Sequence, residues 1–454
     1  MSRNIRLFFH FFLSPERLLI GSFAAIIVAG TALLMLPLST SDGRIAFIDA
    51  LFTATSAVCV TGLTVMDTGA SFSTVGQVII LLLIQAGGLG IVTFSLLIYH
   101  ALGFPMPLRG KLALESTFSH EPVRDIYVIV KSVFFYTMII EAVGALSYFM
   151  RWVNDFSPGR ALYISIFHAV SAFCNAGFST FSDSFMGYAQ DWWINGTTIV
   201  LIVTGGIGFM VISDLTAKLC HRTRLSLHTK IVLFSTAALI AAGALIVLLT
   251  EWSNALSGRP LPEKILIGLF QSVAARTAGF NTVDIGLLSN ATLFIMIVLM
   301  FVGASPGSCG GGIKTTNMAI LLSLAYNRFK GSMNAVMFRR MVPYDTVIRS
   351  ISLLIGSLLF LILVLSVFLI FEESGISHNV SKGLFLETVF ELTSAFGTVG
   401  LSTGITSNLD ALGKTIVIVT MFTGRIGLLT LTYALARREV ESKILYGEEN
   451  VLVG

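Results

Sequence analysis

The chain has 454 residues, 55% hydrophobic and 12% charged, with a mean hydropathy of +0.85 and a formal net charge of +4. Soluble domains carry about 25% charged residues, so half that share excludes an ordinary cytosolic enzyme, and 35 Phe set in long apolar runs exclude disorder. The small positive balance offers no concentrated basic face for nucleic acid; the composition is that of an all-α polytopic membrane protein.

In chain order, the first apolar run is Leu18–Leu36, preceded by Arg3, Arg6 and Arg17. It is as long as a membrane span and more spans follow, so it reads as a signal-anchor rather than a cleaved leader. Further spans are expected at Val75–Leu102, Ile126–Met150, Trp192–Leu219, Ile231–Leu249, Ala291–Tyr326, Val347–Phe371 and Thr415–Ala436. Each can cross a hydrocarbon core of about 30 Å. The eight spans make four hairpins, each enclosing a semi-polar segment of about 10–15 residues, too short to cross as a helix. Such segments exist at membrane depth only inside protein or lining a cavity. Cys59, Cys174, Cys220 and Cys309 show no CxxC spacing and read as small buried hydrophobes.

The four short segments repeat one another: TSAVCVTGL at 55–63, VSAFCNAGF at 170–178, SVAARTAGF at 272–280 and TSAFGTVGL at 393–401. Every copy has Ala five residues before a Gly, with Leu or Phe directly after it. A second motif follows in each next span: Gly87-Gly88-Leu89-Gly90, Gly205-Gly206-Ile207-Gly208, Gly311-Gly312-Ile313-Lys314 and Gly424-Arg425-Ile426-Gly427. These second motifs read mainly as close helix packing. Two motifs recurring four times in one order imply a tandem array of four membrane–pore-loop–membrane units, 1–105, 106–224, 225–335 and 336–454. The last unit ends in a short cytoplasmic tail.

Of the 29 Lys and Arg, 19 lie at the N-terminus and at the ends that join or leave the hairpins, against seven on the other side. By the positive-inside rule both termini are cytoplasmic. All four short repeats then dip in from outside, and a pseudo-fourfold pore is their natural closure. Four loops, each a short helix followed by a Gly-containing strand, can replace the hydration shell of a monovalent cation with backbone carbonyls. The helices would aim their negative C-terminal ends at the cavity. Asp49 and Glu387 would sit near the opposite ends. Glu141, His168 and Glu391 read as packing or hydrogen-bonding groups rather than ligands.

The triplets Val60-Thr61-Gly62, Asn175-Ala176-Gly177, Thr277-Ala278-Gly279 and Thr398-Val399-Gly400 resemble the four K⁺ selectivity filters of the Trk/Ktr/HKT potassium transporters. The resemblance covers nearly the whole chain. Only one span precedes the first filter and the tail after Arg438 is short, so the sequence looks most like the Ktr membrane-subunit branch. The resemblance implies K⁺ uptake across a bacterial cytoplasmic (inner) membrane. It further implies a homodimer with one pore per protomer, surrounded by membrane lipid, and a cytoplasmic nucleotide-binding regulatory ring of the RCK (KtrA/TrkA-like) type. No nucleotide motif is visible in this chain, so nucleotide control would come from that partner.

The third unit departs from the others: Gly303-Ala304-Ser305-Pro306-Gly307-Ser308-Cys309-Gly310-Gly311-Gly312 would break its second span. In the family resembled, the matching stretch is an intramembrane loop that obstructs the path. The expected gate therefore comprises Gly303, Ser305, Gly307, Gly310, Gly311, Gly312, Lys314 and Arg425. The Lys314 charge would oppose K⁺, and the resemblance places Arg425 on the pore wall beside the loop, with a purely structural ion pair as the competing role. Arg276 is expected to brace the third filter, with Asp49 or Glu387 as partner. A hydrolase is excluded although GASPG fits G-x-S-x-G, because the flanks are membrane helices and Pro306 removes the oxyanion-hole N–H. Parallel repeats argue against an inverted-repeat transporter. The remaining alternative is a Na⁺- or H⁺-coupled cation symporter; dependence on Na⁺ is not readable from the sequence.

Overall fold

The computed structural model describes residues 15–90, 126–222, 224–332, 334–372 and 383–435, with 377 and 381. Residues 91–102 of the expected second span, the basic stretch with Arg109, Lys111 and Arg124, Lys382 and the tail after Arg438 lie outside the described residues.

One order of elements recurs four times: a long helix, a short helix, a non-helical segment through the glycine triplet and a further helix, which in the last three units is interrupted. The long helices are α1 (Pro15–Leu34), α4 (Ile126–Trp152), α8 (Leu227–Glu251) and α12 (Tyr344–Glu372). The short ones are α2 (Phe47–Val58), α5 (Pro158–Phe173), α9 (Leu261–Ala274) and α13 (Leu384–Gly397). The interrupted helices are the pairs α6 (Trp192–Gly206) with α7 (Phe209–His221), α10 (Asn290–Phe301) with α11 (Thr315–Phe329) and α14 (Ala411–Ile426) with α15 (Leu428–Leu435); in the first unit α3 (Thr74–Gly88) stands where their first halves do. A hairpin, β1 (Val336–Met337) and β2 (Arg340–Met341), joins α11 to α12.

The local sequence explains these boundaries. Ser73, Asp191, Ser289 and Asp410 each cap the first half of an interrupted helix through a side-chain oxygen, satisfying N–H groups that have no intrahelical partner. Proline sits in the first turn of α5 and α9, where its missing N–H costs nothing. The long helices keep apolar side chains such as Leu359, Ile362, Leu363 and Ile370 on the outside, which water would penalise and hydrocarbon accepts. The short helices are the buried ones: Phe52, Phe167, Phe270 and Phe390 are all fully enclosed.

Beyond the break expected in the third unit, two of the other expected spans need correction. Among the described residues four helices are long and apolar enough to cross a membrane alone. The expected spans Trp192–Leu219 and Thr415–Ala436 are each bent, α6 against α7 by 100° and α14 against α15 by 93°. The cause is the last Gly of the second motif: Gly208 has φ +93° and Gly427 φ +88°, outside helical space. Gly90, at the same position of the first unit, has φ +80°. In the first, second and fourth units the motif thus does more than pack helices; it ends them, while in the third it leads into α11.

Packing closes the chain on itself. α3 packs against α2 of its own unit and α5 of the next; α6 packs against α5 and α9; α10 packs against α13; α14 packs against α13 and returns to α2. On the side where the short helices begin, Lys414 Nζ and Asp49 Oδ1 form an ion pair at 2.7 Å, joining the fourth unit to the first.

Candidate functional site

The four short helices end where the glycine triplets begin, and the triplets share one backbone conformation. Their first residues are left-handed: Val60 φ +56°, Asn175 φ +61°, Thr277 φ +93° and Thr398 φ +50°. So are the glycines: Gly62 φ +92°, Gly177 φ +69°, Gly279 φ +72° and Gly400 φ +92°. A side-chain-bearing residue pays about 1–2 kcal/mol there, so four in equivalent places mark a backbone held by its surroundings.

Serines missed in the sequence reading help to hold it. Thr61 N, Ala176 N and Val399 N donate to the carbonyls of Ser56, Ser171 and Ser394 at 2.8, 2.7 and 2.9 Å. Gly62 N donates to Ser56 Oγ and Gly400 N to Ser394 Oγ, both at 3.1 Å, while Ser171 Oγ donates to Phe178 O at 2.7 Å. The third unit has Val273 at this position and instead bonds Ala278 N to Ala274 O at 3.0 Å. The signal available in sequence was Ser directly before the repeated Ala in three copies of four.

The glycines meet head to tail. A Cβ on Gly62 would run into Ala176 O, one on Gly177 into Ala278 O, one on Gly279 into Val399 O and one on Gly400 into Thr61 O. Each middle carbonyl therefore lies against the next triplet's glycine, and the order 62, 177, 279, 400 closes into a ring. A vestibule of about 380 Å³ opens onto the four glycines, with Asp67, Asp183 and Asp284 among its lining residues.

The loop between α10 and α11 lies on the opposite side of this ring. A Cβ on Gly310 would meet the Thr277 side chain and one on Gly311 the Thr398 side chain, so the loop touches two of the glycine triplets. Gly311 N donates to Thr398 Oγ1 at 2.9 Å. Lower down, the loop occupies the break between α6 and α7: Ser305 N donates to Gly206 O at 3.1 Å, Cys309 N to Gly205 O at 3.2 Å and Phe209 N to Gly307 O at 3.0 Å. Ser305 Oγ lies 3.0 Å from Thr315 Oγ1, and Val302 bridges Ile313 in parallel, pinching the two ends of the loop together. Gly303 fits only as glycine, because a Cβ there would strike Gly311 O.

Two cations hold this loop. Lys314 Nζ donates to Gly310 O at 2.7 Å. Arg425 donates through Nη1 to Cys309 O and through Nη2 to Gly87 O, so one guanidinium ties the loop to the end of α3. No carboxylate pairs with Arg425 among the described residues, which removes the structural ion-pair role.

Other expectations fare unevenly. Arg276 is buried beside the third triplet, but Asp49 is engaged by Lys414, and Arg276 Nε finds no partner among the described residues. The expected Arg276 ion pair with Asp49 or Glu387 is therefore wrong: no such pair forms among the described residues. Glu141 lies at the root of the second triplet, accepting from Gln85 Nε2 at 3.3 Å and, at 3.8 Å, from the Cys174 thiol. His168 sits between Trp152, Phe181 and Phe185, 3.0 Å from Ser179 Oγ. Glu391 accepts from Ser402 Oγ at 2.7 Å. Cys59, Cys174 and Cys309 are buried, whereas Cys220, expected to be buried too, is exposed near the end of α7.

Residues 18–445 match the TrkH family, described as a cation transport protein. The chain belongs to this family. It is 39% identical to the Ktr system potassium uptake protein B of Bacillus subtilis (strain 168), across 98% of this chain and 97% of that protein. It is 37% identical to the protein of the same name from Vibrio alginolyticus, across 96% and 94%. The potassium/sodium uptake protein NtpJ of Enterococcus hirae is 34% identical, across 97% and 98%. In fold, the chain matches the crystal structure of the potassium transporter TrkH from Vibrio parahaemolyticus with a TM-score of 0.71 at 19% identity, covering 92% of this chain and 83% of that one. The protein is a multi-pass, helical membrane protein of a cation-transporter family.

Proposed function

We propose that this chain takes up K⁺ across the bacterial cytoplasmic membrane, passing the dehydrated ion through the ring formed by the four triplets. The observation that carries the reading is the closed order of glycines, each backed by its neighbour's carbonyl. Oxygens gathered from four sides can replace a hydration shell, and glycine alone tolerates both the left-handed backbone and the close approach. The vestibule with its three aspartates forms the mouth, and the pore helices turn their negative ends toward the ion. An inside-negative potential drives entry with about 2.3 kcal/mol per charge per 100 mV.

The loop Gly303–Gly312, with Lys314 and Arg425, acts as the gate below the filter. Its contacts with Thr277 and Thr398, and the Lys314 ammonium bonded to Gly310 O, support this reading. The four tandem units, both termini on the cytoplasmic side, a homodimer and a nucleotide-binding ring of the KtrA/TrkA type belong to the same reading. The test is rescue of a K⁺-uptake-deficient bacterium, followed by ⁸⁶Rb⁺ and Na⁺ uptake by the purified protein in vesicles. The name of the Enterococcus relative joins potassium with sodium, which makes the Na⁺ arm decisive for the coupled-symport alternative. Rescue with Rb⁺ uptake that needs no Na⁺ gradient supports the channel-like reading; absence of any Rb⁺ flux from folded protein overturns it.

A further inference from the structure

The hairpin β1–β2 joins α11 to α12, and its turn is not among the residues given above to the filter or the gate loop. Its strands pair Val336 with Met341 and Met337 with Arg340, which leaves Phe338–Arg339 as a two-residue turn. Both are left-handed, Phe338 at φ +48° and Arg339 at φ +62°. Such a turn ordinarily takes Asn-Gly, and a bulky aromatic there is an outlier. The base of the hairpin is fixed: Ala335 and Val342 are buried with Ile320 and Val347, and Val342 N donates to Ala335 O at 2.9 Å. Ser323 Oγ donates to Val336 O at 3.0 Å. The tip is thus held outward by a built base, with Phe338 and Met341 exposed.

The depth of the tip follows from an aromatic neighbour. The Phe338 ring meets Phe234 edge-on at 6.1 Å, and Phe234 is an exposed residue of α8. Phe234 is seven residues into α8, about 10 Å from its first residue, on a helix whose 25 residues exceed the thickness of a hydrocarbon core. Phe338 therefore reaches the level of the acyl chains. Because α9 runs from Leu261 toward the filter, the start of α8 is on the side away from the vestibule. Arg339 and Arg340 stand at the tip, and Arg328 and Lys330 at the end of α11, flanking the exposed Phe329. None of these four cations is in an ion pair among the described residues. Asp345 is the single carboxylate between positions 323 and 349.

Aromatic rings at hydrocarbon depth with guanidinium groups just beyond them are the chemistry of an interfacial anchor. Guanidinium groups pair with phosphate through two parallel hydrogen bonds. We propose that the β1–β2 tip and the end of α11 form a binding site for the headgroup phosphates of anionic phospholipid in the leaflet opposite the filter mouth. The site does not depend on which ion is carried.

The test uses the full chain in phosphatidylcholine vesicles containing phosphatidylglycerol. A spin label on Phe338→Cys, in a Cys220→Ser background, should collide with oxygen and be shielded from a water-soluble nickel chelate. In native mass spectrometry, Arg339→Gln with Arg340→Gln should lower retained phosphatidylglycerol at least about threefold and leave phosphatidylcholine retention unchanged. A label open to the nickel chelate, or equal phosphatidylglycerol retention, overturns the proposal. A label that becomes shielded only when a cytosolic protein is added overturns it in favour of a protein-docking surface.

Discussion

Replacing Arg425 by Ala removes its two hydrogen bonds that tie the loop to α3, one to Cys309 O and one to Gly87 O. Hydrogen bonds to a charged group contribute about 1.5–3 kcal/mol each, so the pair contributes about 3–6 kcal/mol to the closed arrangement. Burying the guanidinium offsets part of this, because taking a charge out of water costs several kcal/mol before its partners compensate. A net loss of about 1.5–3 kcal/mol shifts the ratio of closed to open loop by roughly ten- to a hundredfold. The expected outcome is K⁺ flux raised by about that factor, up to the limit set by the filter, with the order of cation preference kept. Arg425→Lys retains a charge but has a single donor centre, and should fall between. The assay is ⁸⁶Rb⁺ uptake into vesicles at equal protein, with thermal unfolding measured in parallel. Unchanged flux from folded Arg425→Ala protein would refute the latch.

Gly62→Ser should lower the preference for K⁺ over Na⁺, since a side chain at φ +92° would also strike Ala176 O and open the ring; competition of Na⁺ with Rb⁺ uptake checks it. Deleting Ser305–Gly311 should raise K⁺ flux strongly with the cation order intact, because the glycines held beside the triplets, Gly310 and Gly311, meet only one threonine each; a collapse of selectivity would assign the loop to the filter. Asp49→Asn should lower the melting temperature by weakening the link between first and fourth units, a partly buried pair of about 1 kcal/mol or somewhat more. Lys414→Met should do the same, and the double variant should cost no more than either alone.

Repetition is what made the site legible. Ala followed five residues later by Gly, four times, located the triplets without any knowledge of how the chain bends, because each copy needs the same backbone freedom. The Gly-rich interruption in the third unit announced itself by composition. The bends after α6 and α14 did not, since hydropathy sums side chains along a segment and is blind to direction; a single φ at Gly208 or Gly427 turns the same apolar residues through a right angle. Charge partners were equally hidden. Asp49 meets Lys414 across 365 positions of sequence, and nothing local to Arg276 could have shown that its expected acid was already taken. Ser56 and Ser394 were overlooked because a lone hydroxyl in a semi-polar helix has many uses, and only the fold reveals that the glycine N–H is within reach.

The right-angle bends carry a mechanical consequence. Where four inner helices converge at one end, a channel can close like an iris, and opening must then swing every helix together. Here α7 and α15 turn away at 100° and 93°, so these two helices do not run on as straight walls that could cross below the ring. In the function proposed above, what stoppers the passage there is a single strap of ten residues from one unit, held by Lys314 through Gly310 O and by Arg425 through Cys309 O. On that proposal, opening means releasing the loop's bonds to Lys314, Arg425 and the break between α6 and α7 and refolding one short glycine-rich stretch, rather than swinging four helices.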